Sequence, residues 1–250
     1  MSTTPVFDGY SRYYNLLYND KDYAGEVDYI DSLLKEYGIS GNELLEFGSG
    51  TGKYGRLLAE KGYNVFGIER SQKMVAETRQ TEGFICQEDD IRSVSLGRTF
   101  DAVLALFHVI SYQTSNTDLQ AVFQRAAEHL EIGGLFLFDI WYTPAVNHLK
   151  PKTRVKRITD NEVEVTRIAE PDVFPNENRV DVNYTIFVRN KKTDTFQTLS
   201  ETHSMRHFSI PEIDLLAATT SFQRLAVEEF FTGANVDEQT WGVCIVLKKI

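Results

Sequence analysis

Between residues 43 and 141, short apolar runs alternate with amphipathic segments, and this alternation constrains the fold more than any other feature of the chain. The apolar runs predict strands at Glu43–Phe47, Asn64–Glu69, Phe84–Gln87, Asp101–Phe107 and Leu135–Trp141. Helices are predicted between most of these strands, at Gly52–Lys61, Ser71–Gln80 and Asp118–Leu130. Strands that alternate with helices at this spacing form a parallel sheet with right-handed crossovers.

Further regular elements are predicted on both sides of this region. Residues 10–37 have the apolar spacing of two helices, the second ending at Gly38. After Trp141, alternating apolar and polar residues predict an antiparallel meander with strands at Val155–Ile158, Val163–Ala169, Arg179–Arg189 and Phe196–Phe208. The chain then closes with a helix and two strands, at Pro211–Thr219, Gln223–Phe231 and Thr240–Lys248.

We therefore expect an α/β fold: a Rossmann-like seven-stranded mixed sheet with helices on both faces, plus a small antiparallel β insertion between strand 5 and the last helix. Residues 1–150 and 209–250 would form the main domain. Residues 151–208 would form the insertion and act as a lid or substrate-binding element. The closing strands could complete the sheet internally or pair across a dimer, so a monomer and a homodimer both fit the sequence.

Charge and cysteine content narrow the classes of function. The formal net charge is −10, from 36 acidic and 26 basic residues, whereas a nucleic-acid enzyme needs a basic track that neutralises phosphates. The main basic cluster, Lys150–Arg157, alternates with other residues as a solvated strand face does. Cys86 and Cys244 lie in apolar runs typical of buried free thiols. Because the chain shows neither a signal-peptide pattern nor a run of about 18 apolar residues, we expect a cytoplasmic protein without nucleic-acid or membrane partners.

A glycine-rich loop, EFGSGTG at Glu46–Gly52, follows the first predicted strand and opens a helix. Glycine suits such a turn because it accepts unusual backbone angles and lets a cofactor approach the backbone closely. A phosphate-binding P-loop is excluded, because Tyr54 stands where that motif needs serine or threonine and Phe47 stands where it needs its first glycine.

A dinucleotide fingerprint, G-x-G-x-x-G, does occur at Gly50–Gly55, and Glu69 ends the next strand as a ribose ligand would, so a dehydrogenase stays open on the loop alone. Glu46 argues against it. A carboxylate two residues before Gly48 would repel a pyrophosphate but attract the sulfonium and ammonium groups of S-adenosylmethionine. Two helices also precede the first strand, where they could form a lid over a cofactor cleft.

Over nearly the whole chain, this layout resembles that of the class I S-adenosylmethionine-dependent methyltransferases. EFGSGTG is similar to their first motif, GIERS (67–71) to their second-strand motif and EDDIR (88–92) to their third-strand motif. FDAVLALFHVISY (100–112) resembles their fourth strand and the loop that faces the methyl group. The resemblance implies S-adenosylmethionine as cofactor, S-adenosylhomocysteine as product and no metal.

The resemblance also implies roles for single residues. Glu69 would bind both ribose hydroxyls, Asp90 the adenine amine, and Ile91 would pack against the adenine ring. The residues alone leave a strand-end surface charge open for Glu69 and a helix cap for Asp90. The cofactor-binding residues expected on these motifs and on the first helix are Tyr14, Glu46, Phe47, Gly48, Gly50, Gly52, Tyr54, Glu69, Arg70, Met74, Asp90, Ile91, Leu106 and Phe107.

Within this class, the chain is most similar to N-methyltransferases that act on amino groups of nucleotide-linked deoxysugars. They share a tyrosine-rich first helix (compare YSRYYNLLY, 10–18), a fourth-strand motif matched by Phe107–Tyr112, and an antiparallel insertion with a segment like ETHSMRHF (201–208). Three positions depart from the family pattern: Ser111 in place of glycine, Tyr112 where histidine sometimes stands, and Ile140 in place of proline. These loops contact the acceptor, so the departures leave its identity open.

At the acceptor end, we expect Tyr112 and His108 to be catalytic. The residues expected to contact the substrate are Tyr10, Trp141, Tyr142 and His203. Core packing stays open as the ordinary explanation for the aromatic residues, and a structural place in a strand for His203. The histidines, at positions 108, 129, 148, 203 and 207, are too scattered to predict a metal site.

The leading hypothesis is thus a methyltransferase that acts on a small molecule, with the amino group of a nucleotide-linked sugar as the most specific acceptor. The alternatives are an O-methyltransferase, an amino-acid or metabolite methyltransferase, a non-catalytic S-adenosylmethionine-binding protein, and a dehydrogenase. An anionic nucleotide-sugar needs a local basic patch, for which the candidates are Lys152, Arg154, Lys156 and Arg157.

Overall fold

The computed structural model describes residues 11–250, with side chains from Tyr13 onward, so Tyr10 lies outside the described residues. The helices are α1 (Ser11–Leu17), α2 (Tyr23–Glu36), α3 (Lys53–Glu60), α4 (Gln72–Glu77), α5 (Asn116–Glu128), α6 (Thr143–Leu149) and α7 (Ile210–Thr219). The first five strands are β1 (Glu43–Phe47), β2 (Asn64–Glu69), β3 (Phe84–Glu88), β4 (Phe100–Ala105) and β5 (Leu130–Tyr142). The others are β6 (Arg154–Thr159), β7 (Val163–Phe174), β8 (Arg179–Asn190), β9 (Thr195–Phe208), β10 (Phe222–Glu229) and β11 (Gly242–Lys249).

Seven strands form the expected mixed sheet, in the order β3-β2-β1-β4-β5-β11-β10. The pairs among β1 to β5 are parallel, and β11 runs antiparallel to both β5 and β10. The ladder from Gly242–Trp141 to Lys248–Leu135 holds β11 against β5. The two closing strands therefore complete the sheet within the chain.

Helices cover both faces of the sheet, which is why its central strands are apolar throughout. Leu44 and Leu45 are adjacent in β1, point to opposite faces, and are both 0% exposed. Leu44 packs in a buried cluster with Ile30 of α2 and Leu58 of α3, whereas Leu45 belongs to the cluster of Phe123 on α5. The predicted fold class is confirmed.

Strands β6 to β9 form the expected antiparallel meander. It joins the main sheet through a short parallel ladder between β5 and β9, which pairs Trp141 with His207 and Tyr142 with Phe208. The inner face of the meander buries Val165 against α1, which contributes Tyr13 and Leu17 to the same cluster. Helix α1 therefore spans the gap between the meander and the main sheet.

Some predicted boundaries are wrong. Helix α4 ends at Glu77 rather than near Gln80, and β4 ends at Ala105 because the next residues turn sharply. Helix α6 is an additional element that was not predicted, although its Pro144 is in the first turn, where proline is favoured. Across residues 11–250, no helix has the length and apolarity that crossing a bilayer demands.

Candidate active site

A cavity of about 960 Å³ lies at the carboxyl ends of β1, β2 and β4, the edge at which open parallel sheets bind ligands. One end of its wall is formed by the glycine-rich loop, Glu69 and Asp90, and we call it the cofactor end. The other end is formed by the loop after β4 and by residues of β8 and β9, and we call it the acceptor end. The cavity therefore reaches from the main sheet to the antiparallel meander.

At the cofactor end, the backbone of the loop takes conformations that only glycine adopts freely. Gly48, Gly50 and Gly52 have φ angles of +67°, +56° and +72°. A Cβ on Gly48 would lie 2.4 Å from Cγ2 of Val109, so a larger residue there would push against the loop after β4. At Gly50 the nearest atom to such a Cβ is Sδ of Met74, at 3.7 Å.

Glu69 anchors the glycine-rich loop through its carboxylate. The backbone N–H of Gly50 donates to its Oε2 at 2.9 Å, and the N–H of Ser71 donates to its Oε1 at 2.7 Å. The side chain lines the cavity but is only 8% exposed, and this burial raises its pKa, an effect opposed by the two backbone donors. Glu69 is therefore not a surface charge at the end of a strand.

Glu46 lies behind the cavity wall rather than in it. Its side chain is 1% exposed, and Oγ of Ser49 donates to its Oε2 at 2.5 Å. Desolvation raises the pKa of Glu46 to about 7, with a further contribution from the nearby charge of Glu69. Phe47, Gly52 and Tyr142 likewise do not line the cavity.

Asp90 and Ile91 lie side by side in the cavity wall. The carboxylate of Asp90 accepts hydrogen bonds from the backbone N–H of Arg92, at 2.9 Å, and from its guanidinium. The hydrogen bonds from Arg92 hold the pKa of Asp90 below its usual range. No helix begins at Asp90, so its carboxylate is not a helix cap.

The loop after β4 brings a strained pair of residues to the boundary between the two ends. Phe107 and His108 both have left-handed backbones, with φ of +63° and +66°, a conformation that costs residues other than glycine about 1–3 kcal/mol each. Asp139 of β5, 1% exposed, holds the turn: the backbone N–H of His108 donates to its two carboxylate oxygens at 3.0 and 3.1 Å. Nδ1 of His108 also lies 2.6 Å from Oδ2 of Asp139.

The acceptor end joins residues that are far apart in the sequence. Oη of Tyr112 lies 2.9 Å from Nδ1 of His203, and Nε2 of His203 lies 3.2 Å from Oε2 of Glu201. Tyr184 of β8 places its ring edge-on to His203, with a centroid distance of 4.8 Å. The predicted Tyr112 and His203 are therefore brought into direct contact.

Aromatic side chains close the remaining sides. The centroid of the Trp141 ring lies 6.0 Å from that of His108 and 5.4 Å from that of Trp241, and both pairs are edge-on. Tyr18, directly after α1, meets the Phe107 ring edge-on at a centroid distance of 5.1 Å, so the end of the first helix covers the junction of the two ends. Burial around this aromatic wall lowers the effective dielectric and strengthens electrostatic interactions within the cavity.

Most of the predicted site residues line this one cavity. They are Tyr14, Gly48, Gly50, Tyr54, Glu69, Arg70, Met74, Asp90, Ile91, Leu106, Phe107, His108, Tyr112, Trp141 and His203. Their individual roles stay predictions. Glu46, Phe47, Gly52 and Tyr142 instead support the wall from behind, because their strands and the helix start pack into the core there.

Several residues of the site were not among those predicted from the sequence. Tyr23 and Lys53 line the cofactor end, where Nζ of Lys53 lies 4.7 Å from the centroid of the Tyr23 ring. Lys53 follows the glycine-rich loop directly, and this adjacency was a usable signal. Tyr184 was also detectable, because it lies two residues from the buried Ile186 in the same strand and so points to the same face of the sheet. Asp139 had no local signal, since its partner His108 is 31 residues away along the chain, whereas Glu201 stands two residues before His203 on the same strand and was detectable from that spacing.

Two negative observations apply to this site. Within residues 11–250, no cluster of three or more histidine, cysteine, aspartate or glutamate side chains is arranged to hold a metal ion. His207 is kept out of the cavity by the main-sheet junction, where its Nδ1 lies 2.8 Å from Oγ1 of Thr143, and burial lowers its pKa to about 4.

Comparison with known proteins identifies the class. Residues 44–134, which include the glycine-rich loop, Glu69 and Asp90, match the family model of a methyltransferase domain. A relative from Streptomyces venezuelae, dTDP-3-amino-3,4,6-trideoxy-alpha-D-glucopyranose N,N-dimethyltransferase, is 26% identical over 226 residues, which cover 89% of this chain and 88% of the relative. The chain is an S-adenosylmethionine-dependent methyltransferase.

Solved structures show the same fold as this methyltransferase over nearly its full length. The sugar N-methyltransferase KedS8 from Streptoalloteichus superposes with a TM-score of 0.79 at 21% identity, covering 93% of this chain and 92% of that one. An S-adenosylmethionine-dependent methyltransferase from Clostridium acetobutylicum superposes with a TM-score of 0.78, also at 21% identity, covering 95% and 96%. The arrangement of main sheet and antiparallel meander is therefore shared with both.

Proposed function

We propose that this methyltransferase transfers a methyl group to the amino group of a nucleotide-linked sugar. One observation carries the proposal: a single cavity joins the cofactor end to an acceptor end built from β8, β9 and the loop after β4. Its volume, about 960 Å³, is at the upper end of small-molecule sites and leaves room for an acceptor beside the cofactor. Relatives that methylate dTDP-linked aminosugars support this choice of acceptor.

The cofactor end fits S-adenosylmethionine. Glu69 presents a buried carboxylate to the cavity, which suits two ribose hydroxyls, and the glycine-rich loop lets a ligand approach its backbone. Ile91 and Met74 offer apolar contacts for an adenine ring, and Asp90 an acceptor for its amine. When bound there, S-adenosylmethionine supplies a methyl group on a sulfonium that is already activated for displacement.

The protein's part is then to align the acceptor, exclude water and remove a proton. An amine attacks only when it is neutral, so a route for its proton is needed at the acceptor end. His108 and Tyr112 both line the cavity there, each next to a buried carboxylate or a second histidine. We assign them as the groups that contact the acceptor nitrogen or its neighbours.

The cationic side chains that line the cavity are Lys53, Arg70, Lys73, Arg92 and Arg154. Lys53 lies at the cofactor end and Arg92 pairs with Asp90, so Arg154, on β6 of the meander, is the one that supports a nucleotide diphosphate as the rest of the substrate. Among the four residues predicted to form a basic patch, Arg154 lines the cavity, whereas Nζ of Lys156 is paired with Asp20 at 2.7 Å. Local positive charge is therefore available in a chain whose net charge is −10.

Three broader assignments belong to the same proposal. We assign residues 151–208 as the acceptor-binding unit, because β8 and β9 supply the far wall of the cavity. The cytoplasm is supported by Cys86 and Cys244, which are buried free thiols. A monomer and a homodimer both remain compatible with a site built from the described residues of one chain.

The test is methyl transfer to matched acceptors, with dTDP-linked 3-amino and 4-amino sugars, the same aminosugars without the nucleotide, and free amino acids. We expect mass spectrometry to find methylation of a nucleotide-linked aminosugar, and a large drop in rate without the nucleotide. Arg154→Ala should raise the KM of the nucleotide-linked sugar and leave that of S-adenosylmethionine unchanged. Methylation of a hydroxyl, or of free amino acids alone, would replace this proposal with one of the alternatives.

A further inference from the structure

The acceptor end contains a chain of polar contacts that begins at the cavity wall and ends at a buried carboxylate. Tyr112 and His203 line the cavity and are joined by the 2.9 Å contact between Oη and Nδ1. Behind them, Glu201 is 5% exposed and lies 3.2 Å from Nε2 of His203. Tyr112 lies on the 3-10 turn after β4, whereas the other two lie on β9, so the tertiary fold creates this chain.

The direction of the hydrogen bonds follows from what each group can donate. An ionised carboxylate only accepts, so Nε2 of His203 carries the proton that it donates to Glu201. In a neutral imidazole the other nitrogen, Nδ1, then has a lone pair and accepts from the Tyr112 hydroxyl. Burial raises the pKa of Tyr112 well above its usual range, so the hydroxyl stays protonated and its oxygen keeps lone pairs for another donor.

We propose that Tyr112, His203 and Glu201 form a proton relay for the acceptor amine, an inference that rests on the proposed function. The acceptor binds as an ammonium ion: one of its N–H bonds breaks, the electron pair of that bond stays on a nitrogen that is now neutral, and a new O–H bond forms on Tyr112. The original hydroxyl proton of Tyr112 passes to Nδ1 of His203 at the same time. His203 becomes an imidazolium, which Glu201 stabilises, and later loses its proton to solvent. The nitrogen electron pair forms the bond to the methyl carbon, and the carbon–sulfur pair remains on sulfur.

The surroundings of His203 favour Glu201 as the group that controls its charge. The titratable groups facing the imidazole are Tyr112 from the 3-10 turn, Tyr184 from β8 and Glu201 from its own strand. The guanidinium of Arg167 lies beyond, 5.1 Å from the centroid of the Tyr184 ring. Glu201 is thus the anion in contact with the ring, and it acts as a positioning residue because it acts through His203.

The first test reads the tautomer of His203 directly and needs no acceptor. In the full chain labelled with ¹⁵N-histidine and saturated with S-adenosylhomocysteine, we expect nitrogen NMR to show a proton on Nε2 and a bare Nδ1. Glu201→Gln should shift the proton toward Nδ1, since the new amide can donate to Nε2. A wild-type histidine that carries its proton on Nδ1 would overturn the relay, because Tyr112 would then have no acceptor for its proton.

The second test measures turnover. For Glu201→Gln we expect kcat to fall by about 10–100-fold, with the KM for S-adenosylmethionine unchanged. The pH dependence of kcat should also change, because His203 then loses the anion that stabilises the imidazolium formed in the relay. Glu170→Gln is the matched control: Glu170 is exposed on β7, so this variant loses the same charge from the same sheet and should behave as wild type.

The outcomes separate this inference from the proposed function. If Glu201→Gln and Glu170→Gln share the wild-type kcat and pH profile, the relay is wrong even though the enzyme methylates an aminosugar. If the wild type methylates no nucleotide-linked aminosugar, the proposed function fails, and the tautomer of His203 still decides whether the relay geometry exists. Should Glu201→Gln fail to fold, the wild-type tautomer and the turnover of Tyr112→Phe decide instead.

Discussion

The two ends of the cavity are held together in different ways. At the cofactor end, the key carboxylate of Glu69 is fixed by backbone N–H groups of Gly50 and Ser71, within 19 residues of the chain. At the acceptor end, Tyr112 meets His203 side chain to side chain across 91 residues. Backbone donors survive most substitutions, whereas a side-chain pair is lost when either partner changes. The cofactor end should therefore tolerate sequence drift, and the acceptor end should change chemistry with single substitutions.

Tyr112→Phe tests the acceptor end and should have the largest effect. Removing the hydroxyl keeps the ring but breaks the contact with His203, so we expect kcat to fall by about 10²-fold or more. The affinity for S-adenosylmethionine, measured by calorimetry, should stay the same, because the two ends are held independently. If kcat and the affinity for S-adenosylmethionine fell by the same factor, the two ends would not be held independently.

Glu46→Gln tests whether the buried carboxylate behind the cofactor end destabilises the folded protein. The pKa of the Glu46 carboxyl is raised from 4.5 to about 7 in the folded protein. As the pH rises, this carboxyl therefore ionises in the unfolded chain before it ionises in the folded protein, and the wild type loses stability between pH 4.5 and about pH 7. The loss amounts to about 3 kcal/mol. Glutamine cannot ionise and keeps an acceptor for Ser49, so the variant should gain stability over wild type across this range.

The measurement for Glu46→Gln is urea unfolding of both proteins at pH 5 and pH 8, each without ligand. A stability difference that stays constant between the two pH values would show that Glu46 ionises as it does in the unfolded chain. Calorimetry on the same pair asks whether the charge of Glu46 also attracts the cofactor, as the sequence analysis expects.

Glu69→Ala tests the cofactor end directly. Loss of the carboxylate removes the expected ribose contacts and leaves the N–H groups of Gly50 and Ser71 without their acceptor. We expect the affinity for S-adenosylmethionine to weaken by about 1–3 kcal/mol in calorimetry. Glu88→Ala, an exposed neighbour on β3, is the control and should bind as wild type does.

Gly48→Ala sharpens the comparison by probing where the two ends touch. The new Cβ would meet Val109 at 2.4 Å, in a backbone with φ of +67°. We expect the affinity for S-adenosylmethionine to fall by roughly tenfold. Gly62→Ala carries the backbone strain alone, since φ is +95° there with no atom within 4 Å of the new Cβ. Equal affinities in the two alanine variants would show that contact with Val109 does not matter.

Much of the fold and of the cofactor end could be predicted from sequence, because the signals are local. The bounds of β1 and β2 follow from apolar runs, and Glu69 is identifiable by its place at a strand end. Local signals fail where an element depends on its neighbours: α6 has only seven residues, too few for a clear helical period. Glu46 shows a further limit, since its acidity suggested contact with a ligand and only packing reveals that it lies behind the wall.

Individual residues of the acceptor end were predicted, but their arrangement was not. Tyr112 and His203 were both candidates, yet nothing in the sequence indicates that they touch, because their contact depends on how β9 pairs with β5 and β8. Asp139 was missed for the same reason: its partner, the backbone N–H of His108, lies on a different element, and only the assembled sheet brings the two together. Glu201 stands two residues before His203 on β9, so the alternation of side chains along that strand offered a signal that was not used.

The ladder that joins β5 to β9 pairs only two residues on each strand. So short a ladder places few constraints on the sequence of either strand, provided that Trp141 and Tyr142 stay paired with His207 and Phe208. The meander is otherwise held by its packing against α1, whose Tyr13 and Leu17 share a buried cluster with Val165. A chimera that takes α1 and residues 151–208 from a relative with a different acceptor should therefore keep the cofactor end intact and acquire the acceptor of that relative.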